Sequence, residues 1–390
     1  MFNEFLKNEL DKLESQDLKR SLRQIKGSQG STVIINDTEV LNFCSNNYLG
    51  LADDLRLADA ANDCIRKQGI GAGASRLVCG NMSVHEELEK RIADFKGTKR
   101  CLVFATGYMA NVGIISSLFN RDDMIFTDKL NHASIVDGII LSRANFKRYA
   151  HNDMESLEEL LRANTGYKKK CIITDAIFSM DGDIAPLDKI VQLAQKYECL
   201  VMVDEAHSIG VMGKNGRGLV EHFGLEENID IQMGTLSKAV GCFGAYVCGS
   251  KELIEFLINK ARSFIYTTAL PPAVAAAAMK SIDIISEEPQ LRNHLWDSTN
   301  YLRAGLKLMG LDTMKSRTPI CPVLIKDPKV TVEMSKRLLE RNILVSAIRP
   351  PTVPQGAARL RLTTTAQHTE EDVNYVLDNI QEVAKDLCLI

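Results

Sequence analysis

Lys238 stands in the run Gly234-Thr235-Leu236-Ser237-Lys238-Ala239-Val240-Gly241, directly after the apolar residues 229–233. A lone lysine among small residues at the end of an expected strand suits a Schiff-base nucleophile. The amine must be held against a carbonyl, and small neighbours admit a cofactor and its phosphate. Thr235, three residues earlier, can offer a hydroxyl and a backbone N–H to that phosphate. Ordinary turns also carry Ser-Lys pairs, so the run gains meaning only from what lies upstream. There, Val201-Met202-Val203-Asp204-Glu205-Ala206-His207 ends a strand with a carboxylate and an imidazole three residues apart. Ligands of open α/β sheets sit outside the carboxyl ends of strands, within reach of both side chains. Asp204 could cap the next helix. Alternatively it pairs with the protonated ring nitrogen of a cofactor while His207 donates to a ring oxygen, which makes the ring an electron sink. A nucleotide-hydrolase reading of Asp-Glu-Ala-His fails, because no Gly-x4-Gly-Lys-Ser/Thr loop occurs in the chain.

Ala105-Thr106-Gly107-Tyr108-Met109-Ala110-Asn111 follows a strand and opens a helix, where free N–H groups and the positive end of the dipole can receive phosphate. Glycine also suits any such turn. The glycine-rich run from Gly69 to Arg76 precedes no strand–helix pair and reads as a loop near the site. His132, in Asn131-His132-Ala133-Ser134, is either a structural residue or a catalyst. Ser179, in Ile177-Phe178-Ser179-Met180-Asp181-Gly182-Asp183, sits in a polar turn and could be turn chemistry alone. Arg359 and Arg361 are two apart on one face of a strand; one could clamp a carboxylate, or both could be surface charges. Ahead of them, Ile348-Arg349-Pro350-Pro351-Thr352-Val353-Pro354 is a rigid loop able to shape a pocket. His151 receives no role.

The elements that must position these residues follow from the hydrophobic pattern. Runs at 101–104, 124–126, 171–173, 199–203, 229–231 and 245–248 read as buried strands. Helix-length segments at 154–164 and 188–197 lie between them, which implies α/β layering around a mostly parallel sheet. Ser83-Val84-His85-Glu86 has the form of a capping box, and Pro271-Pro272 starts an alanine-rich helix. Beyond it come a helix at 290–308, short strands near Val323 and Leu344, and a last helix at 370–387. The 390 residues therefore divide into an N-terminal arm (1–45), a large α/β domain (46–285) and a smaller C-terminal α+β domain (286–390).

Composition sets the outer limits. A net charge of -3 supplies no basic footprint for nucleic acid or anionic lipid. Ten scattered cysteines form no Cys-x-x-Cys pair and no Cys/His cluster at metal spacing, so no metal is expected and reduced thiols in the cytoplasm are. No stretch reaches the ~20 apolar residues of a membrane span. The first residues, Met1-Phe2-Asn3-Glu4-Phe5-Leu6-Lys7, form an amphipathic helix and lack the apolar core of a secretion signal.

Taken in order, Gly107-Tyr108, His132, Asp204-x-x-His207 and Thr235-x-x-Lys238 resemble the α-oxoamine synthase family of fold-type I pyridoxal-phosphate enzymes. These enzymes join an amino acid to an acyl thioester with loss of carbon dioxide. The likeness runs from Asn42-Phe43-Cys44-Ser45-Asn46-Asn47-Tyr48-Leu49-Gly50 to Arg361 and beyond, and it implies an aminotransferase-like fold and a homodimer. Ala347-Ile348-Arg349-Pro350-Pro351-Thr352-Val353-Pro354 with Arg359-Leu360-Arg361-Leu362 is similar to the branch that uses L-alanine and a pimeloyl thioester in biotin synthesis. The branch using glycine and acetyl-CoA is the alternative. A catalytically silent binding module is a third reading, against which the intact lysine, aspartate and histidine speak.

The resemblance implies roles. Lys238 carries the cofactor and later moves the Cα proton. Asp204 pairs with the pyridine nitrogen, while His207 and Ser179 contact the ring oxygen or hold the ring. His132 stacks on the ring and orients the acyl carbonyl. Gly107, Tyr108 and Thr235 bind the phosphate, joined by Thr267 or Thr268 from a second subunit. Arg361 holds the amino-acid carboxylate, and Arg23, Asn47 and Thr352 belong to the substrate side. The acyl group would arrive on coenzyme A or on an acyl carrier protein, for which Lys168-Lys169-Lys170 and Lys147-Arg148 are the candidate docking patches.

Overall fold

The computed structural model describes residues 1–15 and 18–390. Thirteen strands occur among the described residues. β1 (Thr32–Ile35) and β2 (Thr38–Asn42) come first. The large domain holds β3 (Arg100–Phe104), β4 (Met124–Asp128), β5 (Asn145–Tyr149), β6 (Lys170–Asp175), β7 (Leu200–Asp204), β8 (Ile231–Thr235) and β9 (Ala245–Gly249). β10 (Ile320–Lys326), β11 (Ile343–Leu344), β12 (Ser346–Ile348) and β13 (Ala358–Thr363) follow.

The large sheet has the order β3-β9-β8-β7-β6-β4-β5. Pairings β4–β5, β4–β6, β6–β7 and β7–β8 are parallel, and β9 runs antiparallel to both of its neighbours. β4 and β8 are buried at every residue, as parallel strands covered by helices on both faces must be. One apolar cluster fills each face of the sheet. The consequence for chemistry is directional: β3, β4, β6, β7 and β8 all end at the same sheet edge, so the loops after them converge.

The expected strand at 229–231 lies further along, at 231–235. Gly234 and Thr235 continue the ladder opposite Tyr246 and Ala245, and a Cβ on Gly234 would lie 2.4 Å from the Tyr246 hydroxyl. Thr235 is thus the last strand residue, and Lys238 sits in the turn beyond it.

The C-terminal domain packs β10-β13-β12 against helices Pro289–Leu308, Pro328–Glu340 and Glu370–Asp386 around its own core. Residues 32–42 join it, because β2 pairs in parallel with β11 (Leu41 opposite Ile343) and Val33, Ile35 and Val40 pack on Leu344. The Pro272–Glu287 helix starts on its proline as expected. The capping box at Ser83 is not made as expected. The Ser83–Lys96 helix begins one residue earlier, the Met82 N–H donates to His85 Nδ1 at 3.1 Å, and Glu86 accepts from the Asn81 side chain instead. An imidazole at that position reaches the exposed N–H that a glutamate would otherwise take. The Phe2–Ser15 helix carries its apolar residues Phe2, Phe5 and Leu10 exposed and buries none.

Candidate active site

The loops after β3, β4, β6, β7 and β8 enclose a cavity of about 130 Å³. Its lining includes Gly107, Tyr108, His132, Ser179, Asp204, His207, Thr235 and Lys238. Eight of the residues read from the sequence therefore meet in one space, from loops spread over more than a hundred positions.

One end is built for a phosphate. Gly107 is the first residue of the Gly107–Leu118 helix, and Thr106 caps it by accepting the Met109 N–H at 3.1 Å. The N–H groups of Gly107 and Tyr108 have no partner among the described residues. A Cβ on Gly107 would stand 2.7 Å from Thr235 Cγ2 and 3.3 Å from Met233 Cε. Glycine is thus required for the helix start and the strand end to approach this closely. The Thr235 hydroxyl is buried without a hydrogen-bond partner, an arrangement that is costly unless a ligand completes it. The Tyr108 hydroxyl donates to Asp137 Oδ2 at 2.7 Å, so what Tyr108 leaves open at this end is its backbone N–H.

The other end suits a protonated aromatic nitrogen. Buried Asp204 accepts Asn111 Nδ2 on Oδ2 at 2.8 Å and the Ala206 N–H on Oδ1 at 2.9 Å. Those two donors fix its plane and support the anion, so the carboxylate is more than a helix cap. Burial, followed by the nearby Lys238 and Arg361 cations, holds His207 well below its ordinary pKa. Its Nδ1 lies 2.8 Å from the Tyr48 hydroxyl, and burial pushes that phenol up to about 12. When the Tyr48 hydroxyl, which also reaches Asn46 Oδ1 at 3.3 Å, donates to Nδ1, the imidazole carries its proton on Nε2. His132 is depressed chiefly by burial, with Lys238 adding to it. The Ser134 N–H donates to His132 Nδ1 at 3.2 Å, which again leaves the ring proton on Nε2. The Lys238 amine is lowered by burial, against the opposing pull of Asp204. A larger fraction is free base at neutral pH than for an exposed lysine.

The two arginines of β13 differ in use, and neither is a surface charge: Arg359 is 2% and Arg361 5% exposed. Arg359 is structural, donating to Asp181 Oδ1 at 2.7 Å and to Met180 O at 3.3 Å. Arg361 donates from Nε to Ser179 O at 2.6 Å and from Nη2 to Asn46 Oδ1 at 3.0 Å. Its Nη1 has no partner among the described residues, so one edge of the fork remains for a ligand.

Other expected residues lie elsewhere. Thr267 and Thr268 are outside the cavity lining, beside the 69–76 loop, where the Ala269 N–H donates to Ala74 O at 3.0 Å. Arg23 and Thr352 are exposed. Asn47 spends its amide on the chain itself, donating to Gln29 O at 3.0 Å and accepting the Ala52 N–H at 3.1 Å. Its neighbours Asn46 and Tyr48 are the ones that reach the site. The Pro350-Pro351 loop borders a separate space of about 830 Å³ with Leu18, Asp327, Lys329 and Val332. Of the basic patches, Lys169 and Lys170 are turned onto the backbone carbonyls of Leu118 and Tyr197.

Asn111, Ser134, Asp175 and Tyr48 were not assigned roles from sequence. Asn111 is one helical turn beyond Gly107 and so on the same face, and Asp175 ends β6 as Asp204 ends β7. Among the described residues no His/Cys/Asp/Glu cluster could hold a metal ion, and no helix is long and apolar enough to cross a membrane.

The orphaned Thr235 hydroxyl, the glycine cradle, the braced Asp204 and the depressed Lys238 amine together fit pyridoxal phosphate. Comparison with known proteins agrees. Residues 38–380 match the family described as aminotransferase class I and II. The chain is 50% identical over 384 residues to an 8-amino-7-oxononanoate synthase of Geobacter sulfurreducens, covering 98% of each chain. It is 46% identical over 387 residues to 8-amino-7-oxononanoate synthase 1 of Bacillus subtilis, covering 99% of each. Its fold superposes with a TM-score of 0.93 and 34% identity on a serine palmitoyltransferase of S. paucimobilis with a bound PLP–myriocin aldimine, covering 99% of this chain and 98% of that one. The chain belongs to the aminotransferase class I and II family and, within it, to the α-oxoamine synthases of fold type I, which work with pyridoxal phosphate.

Proposed function

We propose that the protein condenses L-alanine with a pimeloyl thioester, releasing carbon dioxide and the thiol, to form 8-amino-7-oxononanoate for biotin synthesis. The observation that carries this reading is identity of 46–50% along essentially the whole chain to relatives bearing that enzyme's name. Pyridoxal phosphate supplies the electron sink for charge developing at the amino-acid Cα. The chain's own residues do the rest. Gly107, Tyr108 and Thr235 anchor the phosphate, and Asp204 keeps the ring nitrogen protonated. The free edge of Arg361 takes the alanine carboxylate. Lys238, once its amine is released, removes the Cα proton. His132 offers Nε2–H to the acyl carbonyl as the C–C bond forms and the thiol departs. Loss of carbon dioxide and return of a proton to Cα complete the cycle.

The same reading places the enzyme in the cytoplasm, where its ten free thiols suit a reducing compartment. It also implies a homodimer in which Thr267 or Thr268 of one subunit serves the other's phosphate site, in keeping with their position outside their own cavity. Coenzyme A and an acyl carrier both stand as donors: Lys169 and Lys170 are engaged, while Lys147, Arg148 and Lys168 remain exposed for docking.

The test is mass spectrometry of product from two incubations with pyridoxal phosphate, one with L-alanine and pimeloyl-CoA, the other with glycine and acetyl-CoA. Oxononanoate in the first alone is expected. Product in the second alone would move the enzyme to the glycine branch, and silence in both with cofactor bound would point to a carrier-bound donor. Arg361→Lys keeps the charge but loses the planar fork. The KM for alanine is expected to rise about 10- to 100-fold, the range for losing a charge-assisted hydrogen bond. An unchanged KM in steady-state kinetics would remove Arg361 from the carboxylate site.

A further inference from the structure

Two carboxylates end neighbouring strands at the floor of the cavity. Asp175 on β6 and Asp204 on β7 are opposite one another in the parallel register, and both line the cavity. Like charges buried side by side are costly, and a pair in this position favours holding one proton between them. The surrounding donors decide where it rests. Asp204 receives an N–H on each oxygen, from Asn111 Nδ2 at 2.8 Å and from Ala206 at 2.9 Å. Asp175 receives the His132 N–H on Oδ2 at 2.8 Å, and its Oδ1 has no donor among the described residues. With the fewer donors, Asp175 is the better seat for that proton.

We infer that Asp175 is a neutral carboxylic acid and a positioning residue, holding the His132 backbone with Oδ2 and keeping its proton on Oδ1 at the cavity. Burial, reinforced by Asp204, pushes the Asp175 carboxyl well above the usual range. The titratable groups around it are Asp204, Asp128, His132, His207 and Lys238; the His132 N–H and Lys238 favour the anion but do not outweigh burial.

The neutral state has a purpose in the reaction. An ionised Asp175 would join Asp204 in raising the proton affinity of Lys238, against the need for a free amine. One proton on Asp175 leaves a single negative charge on the floor, beneath the ring nitrogen that requires it. This purpose rests on the cofactor reading above. The charge state does not, and it is open to test in the apoprotein.

Infrared difference spectra of wild-type and Asp175→Asn apoprotein should show a protonated-carboxyl C=O band present only in the wild type. Its absence would overturn the inference whether or not the condensation is found. Asparagine copies both the shape and the neutrality of the acid, whereas alanine releases the His132 N–H. Asp175→Asn should therefore retain at least about tenfold more kcat than Asp175→Ala, the scale of one lost buried hydrogen bond. It should also bind pyridoxal phosphate with the wild-type visible spectrum. Equal loss in the two variants, or an altered spectrum in Asp175→Asn, would show that the site needs a second anion.

Discussion

Lys238→Ala is expected to reduce product formation to a trace while the chain stays folded. Two losses coincide. The base that moves the Cα proton is gone, and positioned proton transfer alone contributes about 10²–10⁴-fold. The covalent tether that places the cofactor ring is gone as well. The fold should tolerate the change, because burial already disfavours the charged amine and the removed group makes no hydrogen bond or ion pair among the described residues. Mass spectrometry after borohydride reduction checks both parts: wild-type protein should keep the mass of the cofactor, and the variant should not. Turnover above about one hundredth of wild type, the weak end of the range for acid–base catalysis, would mean that another group moves the proton.

Asp204→Asn should come next in size. The side chain keeps its volume but loses the charge that partners a protonated ring nitrogen. Breaking a buried ion pair by neutralising one member costs about 3–5 kcal/mol, which is roughly two to four orders of magnitude in kcat at about 1.36 kcal/mol per tenfold. The new amide also sets N–H against N–H, because Asp204 already accepts from Asn111 Nδ2 and the Ala206 N–H. Single-turnover kinetics with saturating cofactor separates lost chemistry from lost binding. A fall of less than tenfold would remove the ring-nitrogen assignment. The same substitution one strand over, at Asp175, should behave oppositely, since there the amide imitates what the acid already is.

What could be read from residue order depended on whether the deciding contact was local. β4, β6 and β7 are apolar runs buried on both faces, and they were legible as such. β5 was not, because an edge strand bearing Lys147 and Arg148 carries no apolar pattern to recognise. β1 and β2 read from sequence as part of an arm, because their partner, β11, lies some three hundred positions away. The site followed the same rule. Asp204 ends a strand, and Gly107, His132, Ser179, His207 and Lys238 each follow one within a few residues, so their convergence could be anticipated from the sheet alone. Tyr48 could not be, since its hydroxyl meets His207 Nδ1 only by folding; Asp175 ends β6 by the same rule as Asp204, and what the sheet alone does not show is its hold on the His132 N–H. The opposite uses of Arg359 and Arg361 were hidden for the same reason. Their alternation on β13 is identical and both meet the loop after β6, Arg359 at Asp181 and Arg361 at Ser179; only Arg361 goes on to Asn46.

The ties that close the substrate side have a cost in time. Thr363 donates to Phe43 O from its N–H at 2.8 Å and from its hydroxyl at 3.1 Å, across 320 positions, and Arg361 reaches Asn46 across 315. At about 5–20 residues per second of synthesis, the segment carrying Asn46 and Tyr48 waits on the order of half a minute for its partners to emerge. The phosphate cup, whose parts end at Lys238, is translated well before then. On the ribosome this chain's own share of the cofactor pocket is therefore made first, and the side bearing Asn46 and Tyr48 is closed by β13, the last strand to be made.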